Sequence, residues 1–322
     1  MARVTPRFDV VTVGESLGLL TASRSGRLHH NRDLRLGFGG AESNVAIGVA
    51  RLGATAAWIG RVGDDSLGEL IVRELRAEGV HAFPVVDRGA STALMIKEHP
   101  YPGAARITYY RRGQAGSRLQ PRDVPDSVVS DTKILHLTGI SAGLGASTLA
   151  TAHAAADAAA SAGATISFDV NHRTALWQDR GAASAAYLEL VRRAHIVFAG
   201  EEEAFLLTGI DTAHGQLDAL LSLGVDCAVI KLGADGAIAA TATDRLSAPA
   251  VPVPVVDTVG AGDAFVAGWL AELAGGAGVG LCLDTAVACG AFACTGEGDW
   301  ESAPGRDDLD WLRRGPADPV LR

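Results

Sequence analysis

Short apolar runs recur along the chain, and between them lie longer segments whose apolar residues return every three or four positions. FDVVTV at residues 8–13 ends at Gly14 and reads as a buried first strand, with Glu15 at its C-terminal mouth. AAWIGRV at 56–62 repeats the pattern, and Gly63-Asp64-Asp65-Ser66 then caps the helix LGELIVRELRAEG. After residue 121 the alternation is regular. Strands are predicted at 133–138, 165–170, 195–199 and 227–232, with helices at 146–162, 182–193, 201–208 and 214–223. A hairpin is predicted at 236–241 and 246–250, followed by helices at 281–293 and 306–313. This order predicts an α/β fold: a doubly wound, mostly parallel sheet with helices on both faces, collecting ligands at the strands' C-terminal ends.

Three pieces break the alternation. FPVVD, STALMIKE and ARITYYRR, between residues 83 and 112, are strand-like with no helix between them. With weaker strands at 17–21 and 34–38 they predict a small β-sheet lid, formed by segments about 15–38 and 83–112 of one domain spanning 1–322.

The 322 residues, 48% hydrophobic and 20% charged, suffice for one large core with a small appendage. A net charge of −9 without blocks of like charge offers no basic face for nucleic acid. Cys227, Cys282, Cys289 and Cys294 lie in apolar surroundings without metal-ligand spacing and are expected to be reduced. The N-terminal stretch lacks an apolar signal core, and the alanine-rich stretch 146–164 is interrupted by His153, Asp157 and Gly163. The expectation is a cytoplasmic protein with no membrane partner.

Chemistry concentrates in VVDTVGAGDAF at 255–265. A β-branched run gives way to small residues and an acid, and then to a helix in which Phe265, Trp269 and Leu273 recur at helical spacing. Gly260 and Gly262 let backbone approach a ligand, so the amides of the helix start can face an anion, and Asp263 stands in the first turn beside them. A carboxylate next to an oxyanion cradle suits phosphoryl transfer to a hydroxyl. A second glycine pair, Gly39-Gly40, opens the helix that carries Asn44, whose amide suits a polyol.

Other phosphate and nucleotide motifs are absent. The only lysines are Lys97, Lys133 and Lys231, and none follows a Walker-type glycine loop; no dinucleotide fingerprint or zinc motif occurs. One motif competes: Gly139-Ile140-Ser141-Ala142-Gly143 follows the strand KILHLT and matches the GxSxG elbow of α/β-hydrolases, with Ser141 as nucleophile. Against it, Gly143 and Gly145 predict an irregular backbone where an elbow passes straight into a helix.

Gly39-Gly40 with Asn44, and Asp257-Thr258-Val259-Gly260-Ala261-Gly262-Asp263, resemble the two signatures of the PfkB/ribokinase family of carbohydrate kinases, over nearly the whole chain. The resemblance implies a ribokinase-like domain with a β-sheet lid, using ATP and Mg²⁺. It makes Asp263 the base and the amides of Gly260, Ala261 and Gly262 the anion hole, and a helix N-terminus is expected to lower the Asp263 pKa. Lys231, Gly233 and Gly236 resemble the nucleotide-binding strand and turn. Where the family often has Asn-x-x-Glu organising Mg²⁺ through water, this chain has Gly200 and Glu203. Some relatives use a monovalent cation such as K⁺ near residues like Asp257, and lid strands often pair between subunits, implying a homo-oligomer.

Within the family, Tyr109-Tyr110-Arg111, Asp169-Val170-Asn171-His172-Arg173 and Gly298-Asp299 look most like 2-keto-3-deoxygluconate kinases. That likeness brings Tyr109, Arg111, Arg173 and Asp299 to a sugar acid, alongside Gly39, Gly40 and Asn44. A substrate carboxylate calls for fixed cationic donors, which arginine supplies well. The alternatives are a related kinase for fructose, ribose or another keto sugar, the Ser141 hydrolase, and a catalytically silent sugar-binding or regulatory protein of this fold, against which the intact Asp263 motif argues. Met95 departs from an expected lid tyrosine, a change that bears on substrate preference.

Overall fold

The apolar runs become strands. The computed structural model describes residues 7–101 and 105–314; residues 1–6, 102–104 and 315–322 of the expected domain span lie outside the described residues. In chain order the strands are β1 (Phe8–Val13), β2 (Leu17–Ala22), β3 (Leu34–Gly39), β4 (Ala56–Gly63), β5 (His81–Asp87), β6 (Leu94–Glu98) and β7 (Arg106–Tyr110). Then come β8 (Thr132–Thr138), β9 (Thr165–Asp169), β10 (Ile196–Gly200), β11 (Cys227–Lys231), β12 (Ala237–Thr241) and β13 (Arg245–Ala248). The helices begin with α1 (Ala41–Arg51), α2 (Ser66–Ala77), α3 (Asp126–Val129), α4 (Gly139–Leu144), α5 (Ala146–Ser161) and α6 (Arg180–Val191). They continue with α7 (Glu201–Thr208), α8 (Ala213–Ser222), α9 (Ala261–Ala274), α10 (Val279–Ala293) and α11 (Arg306–Arg314).

One sheet has the order β13-β12-β11-β10-β9-β8-β1-β4-β5. It is parallel from β5 to β11, and the predicted hairpin β12–β13 closes its far edge antiparallel. Successive strand residues face opposite sides of a sheet. Val11, Leu135, Val197 and Ile230 therefore enter one buried layer, whereas Val10, Ile134, Phe198 and Val229 enter the other. Two such layers require helices on both faces, and this is the doubly wound arrangement the alternation predicts.

The second sheet is β3-β2-β6-β7. One expected lid strand does not belong to it: FPVVD lies in β5 and pairs parallel with β4 on the main sheet. The α2 helix precedes β5 and supplies the crossover from β4 that a parallel pair requires, so the departure into the lid comes only at β6. Pairing of Leu17 with Gly39 brings the roots of β2 and β3 together, which sets Glu15 beside Gly40 under the lid.

One local expectation also changes. The GISAG segment passes directly from β8 into α4, capped by Thr138, which accepts from the Ile140 N–H at 3.2 Å. PVPVV, which the pattern left as strand or loop, is a loop with Val255 and Val256 exposed, so the turn at Gly260 follows irregular chain.

Candidate active site

The ends of β1, β8, β9, β10 and β11 open onto a cleft of about 600 Å³, covered by the small sheet. Glu15, Asp169, Asn171, Gly200 and Lys231 reach it from the strand ends, and Met95, Ile107, Tyr109 and Arg111 reach it from the lid.

Helix packing places the central acid. A methyl at Gly48 of α1 would lie 2.6 Å from the Ala267 Cβ of α9, so the helices touch through small residues. Asn44 and Asp263 each lie one turn before that contact, and Asn44 Nδ2 donates to Asp263 Oδ2 at 2.8 Å. The other oxygen accepts from Asn171 Nδ2 at 3.4 Å. Asn171 holds a left-handed backbone, with φ of 40°, a conformation asparagine tolerates better than most residues.

Asp263 is 9% exposed. Burial pushes its carboxyl up to about 6, against the Asn44 hydrogen bond and nearby Arg173, which pull it down. The expected lowering by the helix N-terminus is overturned, because desolvation outweighs the charge stabilisation available at the first turn. Behind it, burial raises Glu42 to about 7 although Thr138 Oγ1 donates to it at 2.6 Å.

The turn expected to form the anion hole is built on Gly260, whose φ of 78° is left-handed. A methyl there would lie 1.9 Å from the Asp299 carbonyl oxygen, and one at Gly39 would lie 2.2 Å from Asp299 Oδ2. Only glycines on both sides admit Asp299, whose carboxyl burial pushes up to about 7, with Lys97 opposing. Arg51 pins the adjoining loop by donating to the carbonyls of Trp300, Glu301 and Ala303 at 3.2, 3.0 and 2.7 Å. Of the three amides expected to form the anion hole, that of Ala261 donates to Thr258 O at 3.3 Å. The amides of Gly260 and Gly262 have no protein acceptor among the described residues.

The cations divide into paired and unpaired. Lys231 donates to both oxygens of Asp169 at 2.9 Å. Arg111, 7% exposed, gives two hydrogen bonds to Glu15 Oε2 and stacks 5.1 Å from the Tyr109 ring centroid. Burial raises the Glu15 carboxyl against that guanidinium's pull. Arg173 lines the cleft, and no ion pair engages it among the described residues.

Glu203 lines the cleft from the first turn of α7, its oxygens accepting from the N–H groups of His172 at 2.7 Å and Gly200 at 2.8 Å. Gly233 and Gly236 form the turn after β11 and do not line the cleft. A methyl at Gly236 would meet the Ala248 carbonyl at 2.1 Å, which gives this glycine a packing role. Sequence reasoning noted Glu15 at the mouth of the first strand and Asp169 and Asn171 in the DVNHR run but gave none of them a role, and it passed over Glu42. Acids ending the first and the DVN strands were the available signal for Glu15 and Asp169.

The competing GISAG motif has another use. Methyls at Gly139 and Gly143 would lie 2.1 Å from the Val170 carbonyl and 2.9 Å from Trp177 Nε1, so its glycines admit the loop that carries Asn171 and Arg173. Tyr187 steadies the loop, its hydroxyl meeting Trp177 Nε1 at 2.8 Å and His172 Nδ1 at 3.0 Å. Among the described residues no histidine hydrogen-bonds to Ser141.

A family model described as pfkB family carbohydrate kinase matches residues 7–306. The chain is 36% identical to a 2-dehydro-3-deoxygluconokinase of Bacillus subtilis (strain 168), over 94% of each protein. It is 35% identical to another of that name from Thermoproteus tenax, over 95% of this chain and 94% of that one. A fructokinase double mutant from Vibrio cholerae O395, solved with fructose, ADP and potassium ion bound, superposes with a TM-score of 0.83 at 28% identity, covering 96% of this chain and 99% of that one. These likenesses run the length of the sheet, the lid and the turn that holds Asp263, and the chain belongs to the pfkB family of carbohydrate kinases.

Proposed function

We propose that the protein transfers the γ-phosphoryl group of ATP to the terminal hydroxyl of 2-keto-3-deoxygluconate, giving 2-keto-3-deoxy-6-phosphogluconate. The observation that carries this reading is Asp263, held by neutral amides beside the free N–H groups of Gly260 and Gly262, in a cleft whose unpaired cation is Arg173. Asp263 takes the hydroxyl proton, and a carboxyl near 6 is a competent base at neutral pH. The amides at the start of α9 receive the charge of the transferring group.

Arg173 meets the sugar-acid carboxylate. Arg111 acts through Tyr109 and Glu15, and Gly39, Gly40, Asn44 and Asp299 shape the polyol pocket. Lys231 faces the nucleotide phosphates, with Gly233 and Gly236 in the turn behind it. Mg²⁺ fits this acid set. Among the described residues no group of three or more candidate ligands could hold a metal ion, which suits an ion carried by phosphates and one or two carboxylates. Glu203 would hold it through water, and the ion supplies charge neutralisation on the phosphates.

Two further parts belong to this proposal. A lid whose edge strands expose Leu36 (53%) and Tyr110 (55%) supports a homo-oligomer joined there, and dependence on ATP supports a cytoplasmic site of action. A kinase for fructose or a related keto sugar is the second reading, favoured by Met95 at the cleft wall. An ATP-consumption screen over sugars and sugar acids tests the proposal. Preference for 2-keto-3-deoxygluconate is expected, and preference for a neutral sugar sinks the acid reading.

A further inference from the structure

Lys97 belongs to no phosphate loop in the sequence, and its position in the fold is unusual for an ammonium. Met95 and Lys97 are the buried residues of β6 and share its inner face; Met95 reaches the cleft, and Lys97, two residues on, is 2% exposed. Its Nζ donates to Asp257 Oδ2. The other oxygen, Oδ1, accepts from the Val259 N–H at 3.2 Å, within the turn that ends at Gly260. A buried ammonium is costly unless a carboxylate answers it, so the lid strand delivers a fixed positive charge to the residue that shapes the anion hole. The same ammonium offsets burial at Asp299. A free alkali ion does not fit at Asp257 without displacing Lys97.

We propose that Lys97 is a positioning residue acting as a tethered monovalent cation: it fixes Asp257 and the Val259–Gly262 turn, and frees turnover from any need for K⁺. The inference rests on the kinase reading for its kinetic arm only.

The test compares wild type, Lys97→Ala and the volume-preserving Lys97→Met in tetramethylammonium buffer, with and without K⁺ or propylammonium. Wild-type kcat is expected to change less than about twofold on adding either cation. Lys97→Ala is expected to lose about 100-fold in kcat with a much smaller change in sugar KM, and to regain about tenfold with either cation. Lys97→Met, with neither charge nor space, is expected to stay low. Strong K⁺ activation of the wild type, full activity in Lys97→Ala, or a loss that no cation restores each overturns the proposal. A second arm needs no substrate. K⁺ should raise the melting temperature of Lys97→Ala by about 2 °C or more and leave the wild type unmoved. This arm stands if no sugar is phosphorylated, which would instead count against the kinase substrate reading; equal shifts in both proteins overturn the inference.

Discussion

Asp263, on the body wall of the cleft, is met by the neutral amides of Asn44 and Asn171, whereas Arg111 and Lys97, on the lid wall, each face a carboxylate of the body. Neutral donors orient an acid without neutralising it, so Asp263 keeps its affinity for a proton. Full ion pairs spend the lid's charge on holding the two walls together. In the proposed reading the lid supplies order, and Arg173, which no ion pair engages among the described residues, is the body's charge for an anion.

The sharpest way to break this contrast is Asp263→Asn. A fall of about 1000-fold or more in kcat is expected, with sugar affinity by calorimetry within about threefold. Turnover near wild type would remove Asp263 from its role. Next, Arg111→Ala leaves Glu15 buried without its cation, and a loss of about 3–5 kcal/mol in denaturant unfolding is expected. Arg173→Ala should unfold like the wild type yet raise KM for an acidic sugar about 10- to 100-fold, sparing neutral ones. The reverse outcome would exchange the roles of the two arginines.

Acidity probes the body wall more gently. As the proposed base, Asp263 would have to be deprotonated, so kcat/KM is expected to fall about tenfold per pH unit below about 6 and to level above it. Asn44→Ala removes a hydrogen bond to the charged form and should move this limb upward in pH. Stability runs the other way. Asp263, Glu42 and Asp299 carry folded-state values of about 6, 7 and 7, above their ordinary 3.8, 4.5 and 3.8. Their contribution is full below those ordinary values and is lost as pH rises through 6 to 7. The melting temperature of the free protein should therefore be about 3 °C or more lower at pH 8 than at pH 5. The smallest effect belongs to Ser141→Ala, where a change of less than about twofold in kinase rate is expected.

Much of this was legible in the sequence because it depends on local pattern. Val10 and Val11 declare two buried layers by adjacency, and Gly260 declares a left-handed turn by lacking a side chain. The break in alternation revealed the lid, although β5 shows that a helix ahead of a strand is the better guide to which sheet it joins. The wall-to-wall pairs were not legible. Arg111 and Glu15 stand 96 residues apart and Lys97 and Asp257 stand 160 apart, and nothing local states which acid a cation will meet. Reading Arg111 as a donor to a sugar-acid carboxylate did not anticipate its pairing with Glu15 for that reason. The Asp263 pKa failed similarly, since burial is a property of the assembled helices.

The contact between Gly48 and Ala267 sets more than helix spacing. Because it lies one turn beyond Asn44 and Asp263, it acts as a spacer whose thickness is transmitted to a hydrogen bond. A single added methyl at residue 48 would wedge α1 from α9 and loosen the amide from the acid, changing no group that touches a ligand. Proton affinity at the centre of the cleft is thus adjustable from within the apolar core, where selection for packing and selection for chemistry act on the same atoms.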